Sequence, residues 1–389
     1  MGSTELPHKD SPDVHLVEAT EEESIAQQHA NSAEWQGQLD LDAYLRRETV
    51  LINQDLTRDG GLTTWVLVHQ PENGPRKVLC GCESIKKKAL LARSGKVEDV
   101  VAHGIASVFC EAKHRGKGYA SRMMSELGKK LKSWQAGNGS SAFSVLYSDI
   151  GKEFYAAHGW QAFPSAHITL TPTASFNAQG LPAARVLADK DIESLCTLDE
   201  EITRRRMAQN AKSNRPAVTL IPDHRTLAWH YAREDFFATE KFKKTSSDRG
   251  AIVGDWAGTR AWCYWTGVWP THAEVDPNIL YILRIAVEDE SFADFEPASE
   301  HGIDAIKDSP SVKAIAAVLA KAQAHASEWN MHQIQIWNPT SATVAAVQLL
   351  DSNATVEHRE KESITSLRWY GEEDAKDVDW VMKEKFAWC

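Results

Sequence analysis

The alternation of apolar and polar residues begins at Val14, where VHLVEAT has the two-residue period of a strand. Thr20 followed by Glu23 has the spacing of a capping box and predicts a helix running toward Asn31. Leu41, Tyr44, Leu45 and Val50 predict a second helix over about 39–49. Two β-rich runs, TTWVLVHQ and RKVLCGCESI, flank the turn-forming PENGP and read as a hairpin, and VVAHGIASVFC continues as a third strand. From Tyr119 to Leu131 the stripe Met123, Met124, Leu127 and Leu131 predicts a helix with one face in the core. SAFSVLYSDI then reads as a strand, GKEFYAAHGW as a short helix and SAHITL as a closing strand.

The stretch TPTASFNAQGLPA is rich in Pro, Ser, Thr and Gly and reads as a linker. Beyond it the pattern runs again: DKDIESLCTLDEEI is helical, and GAIVGD, RAWCYWTGVW and NILYILRIAVED are strands. SVKAIAAVLAKAQAHASEW predicts a long helix, HQIQIW a strand, TSATVAAVQLL a helix capped by Thr340 or Ser341, and ITSLRWY a last strand. FSVLYSDIGKEFYAAHGW and IQIWNPTSATVAAVQLL share the order strand, polar turn, short helix at corresponding places. The expected organisation is a disordered lead over 1–12, a first domain over 13–170, a linker over 171–184 and a related second domain over 185–389.

A formal charge of -11 and a pI near 5.8 argue against a phosphate-tracking nucleic-acid surface and suit a cationic or amine-bearing partner. The six cysteines form no CxxC pair, so neither a zinc site nor a disulfide framework is legible, and reduced thiols are expected. MGSTELPHKD has no apolar core of a signal peptide, and no stretch approaches the ~20 apolar residues of a membrane span. A soluble, cytoplasmic protein with no metal is the expectation.

KHRGKGYASRMM, residues 113–124, places Gly116 and Gly118 between a strand and a helix, with Lys113, Arg115 and Lys117 concentrating positive charge. A tight turn alone would also need glycines. The combination of close-approaching backbone and the positive end of a helix is that of a phosphate cradle. GxxxxGK[ST] fails because Gly118 follows Lys117, and GxGxxG fails because the third glycine position is Ser121.

KHRGKG resembles the acetyl-CoA signature [Q/R]-x-x-G-x-[G/A] of the GNAT N-acetyltransferases, with Lys113 in the first position. The resemblance covers residues 14–170 and implies an α/β (α+β) GNAT fold with a mixed, splayed central sheet, followed here by a degenerate GNAT-like copy. It implies acetyl-CoA as co-substrate. The backbone of Arg115, Gly116, Lys117, Gly118, Tyr119 and Ala120 would bind the pyrophosphate, and Val108, Phe109 and Cys110 would pair with the pantetheine arm. Ser148 and Asp149, at the next strand end, could also meet the cofactor. In FYAAHGW, Tyr155 takes the place of the family's frequent proton donor to the departing thiolate; a phenol is protonated at pH 7.

An attacking amine must lose its proton, and Glu83, His103 and Glu111 are the candidate bases, with a chain of waters as the alternative. The whole chain is similar to fungal lysine N6-acetyltransferases through IASVFCEAKHRGKGYASRMM, LYSDIGKEFYAAHGW and WVMKEKFAWC. That likeness implies acetyl transfer to the side-chain amine of free lysine by direct attack, with Cys110 the cysteine to test for any acyl-enzyme. Protein lysine or N-terminal acetylation, and a non-catalytic CoA-sensing module, are the alternatives. Ten of the 14 tryptophans fall in the second half and predict large aromatic burial or an aromatic-lined cleft, which EKFAWC could reach.

Overall fold

The computed structural model describes residues 6–137, 141–175, 179–211, 215–270, 276–289, 292, 298 and 303–388. The first part of the chain forms β1 (Val14–Glu18), α1 (Glu21–Trp35), α2 (Leu41–Ile52), β2 (Leu62–His69), β3 (Lys77–Arg93), β4 (Lys96–Phe109), α3 (Tyr119–Leu131), β5 (Phe143–Ser148), α4 (Glu153–Ala156), β6 (Gln161–Ala162) and β7 (Ala166–Leu170). There follow β8 (Ala184–Ala188), α5 (Asp189–Asn210), β9 (Ala217–Leu220), α6 (His224–Phe242), β10 (Asp248–Val253), β11 (Ala261–Val268), β12 (Ile279–Val287) and α7 (Ile303–Ile306). The last part holds α8 (Pro310–Glu328), β13 (Gln333–Trp337), α9 (Ser341–Leu350), β14 (Val356–His358), β15 (Ile364–Trp369) and β16 (Asp379–Trp380).

Local chemistry sets the helix starts. The Thr20 hydroxyl accepts from the Glu23 amide while the Glu23 carboxylate accepts from the Thr20 amide, so the capping box opens α1. Thr340 caps α9 through the Thr343 amide. Met123, Met124, Leu127 and Leu131 of α3 are fully buried against Trp65, Leu67 and Leu79 of the first sheet. Each such side chain stabilises by roughly 2 kcal/mol relative to leaving it in water. Ala316, Leu319 and Ala326 of α8 and Val344 and Val347 of α9 do the same for the second sheet.

Two mixed sheets result, one built on the path β1-β2-β3-β4-β5-β15-β6 and the other β14-β7-β13-β12-β11-β10-β8. Each contains one parallel pair of long strands at its centre, β4 with β5 and β12 with β13. In both, pairing stops early. β4 and β5 are joined only from Ala102/Phe143 to Gly104/Val145, and β12 and β13 only up to Ile282/Ile336. The remaining ends part, which leaves a wedge in each sheet.

Three expectations are corrected. SAHITL does not close the first sheet: β7 pairs with β13 and β14 of the second, because Ile168 and Leu170 find their apolar partners there. Reciprocally, ITSLRWY lies in the first sheet as β15, antiparallel to β5 from Ile364/Ser148 to Trp369/Phe143. The lead is ordered from residue 6 to 12, where Pro7 accepts a hydrogen bond from the Tyr119 hydroxyl (2.6 Å) and Leu6 packs beside the α3 core. Residues 1–5 lie outside the described residues. The sequence pattern also passed over β9 and α6; β9 extends the first sheet by pairing with the far half of β3.

Candidate functional site

The wedge between β4 and β5 opens into a cleft of about 740 Å³ lined from both halves of the chain. Its shape begins with a bulge. Gly81 pairs with Phe109 but Glu83 pairs with Ala106, so β4 carries one extra residue there, and Ser107 takes φ 52°. That left-handed turn costs a serine about 1 kcal/mol. It brings the Ser107 hydroxyl onto the Glu83 carboxylate at 2.7 Å. Burial raises the Glu83 carboxyl to about 7, the nearby Glu48 adds to the rise, and the Ser107 hydrogen bond opposes it.

Past the bulge, Val108, Phe109 and Cys110 line the cleft along the edge of β4 that β5 has left. The glycine loop follows. Gly116 and Gly118 have φ of 74° and 79°, and Gly118 is the left-handed residue that caps α3. The first α3 amide bonded within the helix is that of Arg122, to the Gly118 carbonyl at 3.0 Å. The amides before it, through residues 119–121, are those a helix leaves without internal partners. Arg115 and Ala120 line the cleft at this end. A cradle of amides beside an open strand edge fits the pyrophosphate and pantetheine of CoA.

The loop's cations are disposed differently from the sequence expectation. His114 is buried, its Nδ1 lies 2.9 Å from the Leu79 carbonyl, and burial lowers its pKa, so it adds no charge. Arg115 donates to the Cys110 carbonyl (2.8 Å) and meets Glu34, leaving Lys117 exposed. Lys9 of the ordered lead lies over Gly118. Tyr119 is buried beneath the loop.

Tyr155, at the end of α4, is 8% exposed and lines the cleft, edge-on to Phe154 at 5.0 Å. Burial is the main force that pushes its phenol up, so it holds its proton. The other proposed residues lie elsewhere. His103, within β4, is fully buried near Gln135 and Ser141 at 3.3 Å each, and burial pushes it down to about 4. Glu111 pairs with Lys113 at 2.7 Å and is not part of the cleft lining. Ser148 is spent on its own turn, donating to the Gly151 carbonyl at 2.6 Å, whereas Asp149 does reach the cleft. Of the three candidate bases, the structure brings Glu83 alone to the wedge.

The far wall was not legible. It comprises Tyr44, Arg47 and Glu48 of α2, Trp229 and Arg233 of α6, and Trp388 of the carboxyl-terminal segment. The α6 helix is opened by Asp223, whose carboxylate accepts from the Thr226 amide; this cap was the signal available in the sequence. Trp388 is set by its neighbours' carbonyls. Lys87 of β3 donates to Ala387 O (3.0 Å), and His230 Nε2 lies 3.1 Å from Phe386 O.

A family model described as the LYC1 GNAT-like C-terminal domain matches residues 167–389, more than half of the chain. The chain belongs to the LYC1 GNAT-like family. It is a GNAT-type N-acetyltransferase by that membership. A lysine acetyltransferase of Yarrowia lipolytica is 24% identical to it over 292 residues, covering 64% of this chain and 70% of that protein. An uncharacterized protein of Saccharomyces cerevisiae is 22% identical over 405 residues, covering 92% and 93%. Among solved structures, a GCN5-related N-acetyltransferase from Anabaena variabilis superposes with a TM-score of 0.52 at 16% identity, over 92% of this chain and 73% of that one. Saccharomyces cerevisiae N-myristoyltransferase with bound myristoyl-CoA gives 0.51 at 12%, over 93% and 82%. These likenesses place the LYC1 GNAT-like chain in the GNAT fold, and the wedge, bulge and glycine loop are its local expression.

Proposed function

We propose that this chain transfers the acetyl group of acetyl-CoA to the side-chain N6 amine of free lysine. The observation that carries the reading is the meeting of Glu83, with a pKa near 7, and the protonated Tyr155 in one cleft with the splayed β4 edge. Bound acetyl-CoA supplies the activated thioester. The amides of the 115–120 loop hold its phosphates, and the open edge of β4 at Val108 to Cys110 orients its arm. Glu83 accepts the proton of the incoming ammonium, and the freed amine attacks the thioester carbonyl directly. Tyr155 donates its proton as the sulfur departs and recovers one from the newly bonded nitrogen, so that a neutral amide and the CoA thiol leave and the net proton released is the one on Glu83. Cys110, whose thiol lies 3.7 Å from the Leu79 carbonyl, is not needed in this route.

The name of the Yarrowia lipolytica relative supports lysine as the acceptor, and the Trp229 and Trp388 wall supports a small molecule over an extended peptide. Within the same reading, the protein works in the cytoplasm at the first step of lysine breakdown. Residues 171–184 join two GNAT-like units that exchange strands, and the second unit's work is to wall the acceptor site. The described helices include none long and apolar enough to cross a membrane.

The test is CoA release on mixing the protein and acetyl-CoA with lysine, a polyamine, a histone-tail peptide or an aminoglycoside. Release with lysine, and a product acetylated on the side-chain amine by mass, is expected. Release with the peptide alone would move the reading to protein acetylation, and tight acetyl-CoA binding without release from any amine would make the chain a sensor.

A further inference from the structure

The cleft holds three arginines, and two of them are already engaged. Arg115 is turned to the Cys110 carbonyl and Glu34. Arg47 places both Nε and a terminal nitrogen on one oxygen of Glu48, at 2.9 and 2.7 Å, and reaches the Trp35 carbonyl at 3.1 Å. Arg233 is different. Its guanidinium lies 5.5 Å from the Trp388 ring centre, and among the described residues it has neither an ion pair nor a hydrogen bond. Burial pulls it down to about 10, with Arg47 adding to the fall and Glu48 opposing it. Arg233 is half-buried in the cleft wall, so its guanidinium stands without an anionic partner where a ligand can reach it, and its planar fork matches a carboxylate.

Two further facts narrow what completes this site. Arg233 packs on Trp388 in the wall formed by α6 and the carboxyl-terminal segment rather than on the glycine loop, so its anion is distinct from the CoA phosphates. Glu48 gives Oε1 to Arg47, and Oε2 takes neither of those bonds, so the cleft offers an acceptor beside the free cation. Tyr44 ties this corner to the reacting centre, since its phenol feels Glu48, Arg47, Glu83 and Arg233 together. An anion and a cation held side by side, with a second amine directed to Glu83, describe a zwitterionic amino-acid head and a basic side chain.

We infer that Arg233 binds the α-carboxylate, and Glu48 the α-ammonium, of a free diamino acid whose side-chain amine is presented to Glu83. The inference rests on the acetyl-transfer reading and adds the residues that reject peptide lysines, which lack both head groups, and simple diamines, which lack the carboxylate.

The experiment compares lysine, lysinamide and 1,5-diaminopentane as acceptors for the full chain, and then for Arg233→Gln and Arg233→Lys. For the parent, kcat/KM should favour lysine over both analogues by about 30-fold, the value of a charge-assisted pair. Arg233→Gln should raise the KM for lysine by a similar factor and leave the diamine and acetyl-CoA within about twofold, with Arg233→Lys in between. Equal use of lysine and the diamine by the parent overturns the inference and leaves acetyl transfer standing; this arm needs no variant to fold. Silence with all three amines overturns the transfer reading instead, and calorimetric titration of lysine into the CoA-loaded protein then decides. Binding that Arg233→Gln abolishes supports the head-group site, and no binding to the parent ends it.

Discussion

The Ser107 hydroxyl donates to the Glu83 carboxylate at 2.7 Å across the β3–β4 bulge. One inserted residue thereby does two things: it turns the β4 edge outward and fixes the orientation of the carboxylate best placed to act as base. The two functions proposed for the wedge, holding the cofactor arm and deprotonating the acceptor, share one backbone irregularity.

Glu83→Gln should lower kcat about 100-fold with little change in the KM for acetyl-CoA, as loss of a general base does. In the parent, the rate should rise with pH through about 7 as the carboxyl ionises; the variant should lose this limb. Stability moves the other way. A carboxyl raised from 4.5 to about 7 contributes stability that is full below about 4.5 and lost as pH rises through about 7. Thermal melts at pH 5 and pH 8 should therefore show Glu83→Gln gaining on the parent at the higher pH. A variant that keeps the parent's rate and pH profile would remove Glu83 as the base.

Tyr155→Phe keeps the buried ring against Phe154 and deletes only the phenolic hydroxyl. Turnover should fall by roughly 100-fold while acetyl-CoA binding and the melting temperature hold. Single-turnover CoA release read by thiol titration checks it, and an unchanged rate would show that the sulfur leaves without this acid.

What was legible follows from how local each signal is. The capping box at Thr20, the α3 stripe and the glycine loop are complete within a dozen residues, and each was found where it lies. The strand exchange was not, because β7 and β15 have the same alternating pattern whichever sheet takes them; long-range packing decides. The mixed fate of the bases has the same origin. His103 and Glu83 sit on neighbouring strands in unbroken register, three pairs apart, so alternation puts them on opposite faces of the sheet, and long-range packing decides which face carries the cleft. Arg233 was unreadable because its significance is the absence of a partner among the described residues.

Gly118→Ala should weaken acetyl-CoA binding through the backbone. At φ 79° alanine costs about 1 kcal/mol, and its new carbon would stand 2.6 Å from the Lys9 chain. The lysine tail can yield, whereas the amide geometry of the loop cannot be kept without strain. The KM for acetyl-CoA should rise about tenfold and kcat should change less. At Gly116 the space is open but φ is 74°, so Gly116→Ala tests strain without the contact. If both variants bind acetyl-CoA like the parent, the loop does not cradle the pyrophosphate.

The carboxyl-terminal wall depends on a buried charge cluster. Arg284 of β12 is 1% exposed, paired with Asp199 of α5 at 2.9 Å and with Glu384 at 2.8 Å, four residues before Trp388. Asp199→Ala leaves the guanidinium half-paired in the interior and should cost roughly 3 kcal/mol, read as a lower denaturation midpoint. Glu384→Ala should cost less, because Asp199 still holds the cation, but it loosens the segment that carries Trp388 into the cleft. Its signature is then kinetic: the KM for the amine rises while that for acetyl-CoA stays, and Trp388→Ala reproduces the effect without the loss of stability. An amine KM that ignores both changes would separate this segment from the acceptor site and reduce the Arg284 cluster to a structural clamp.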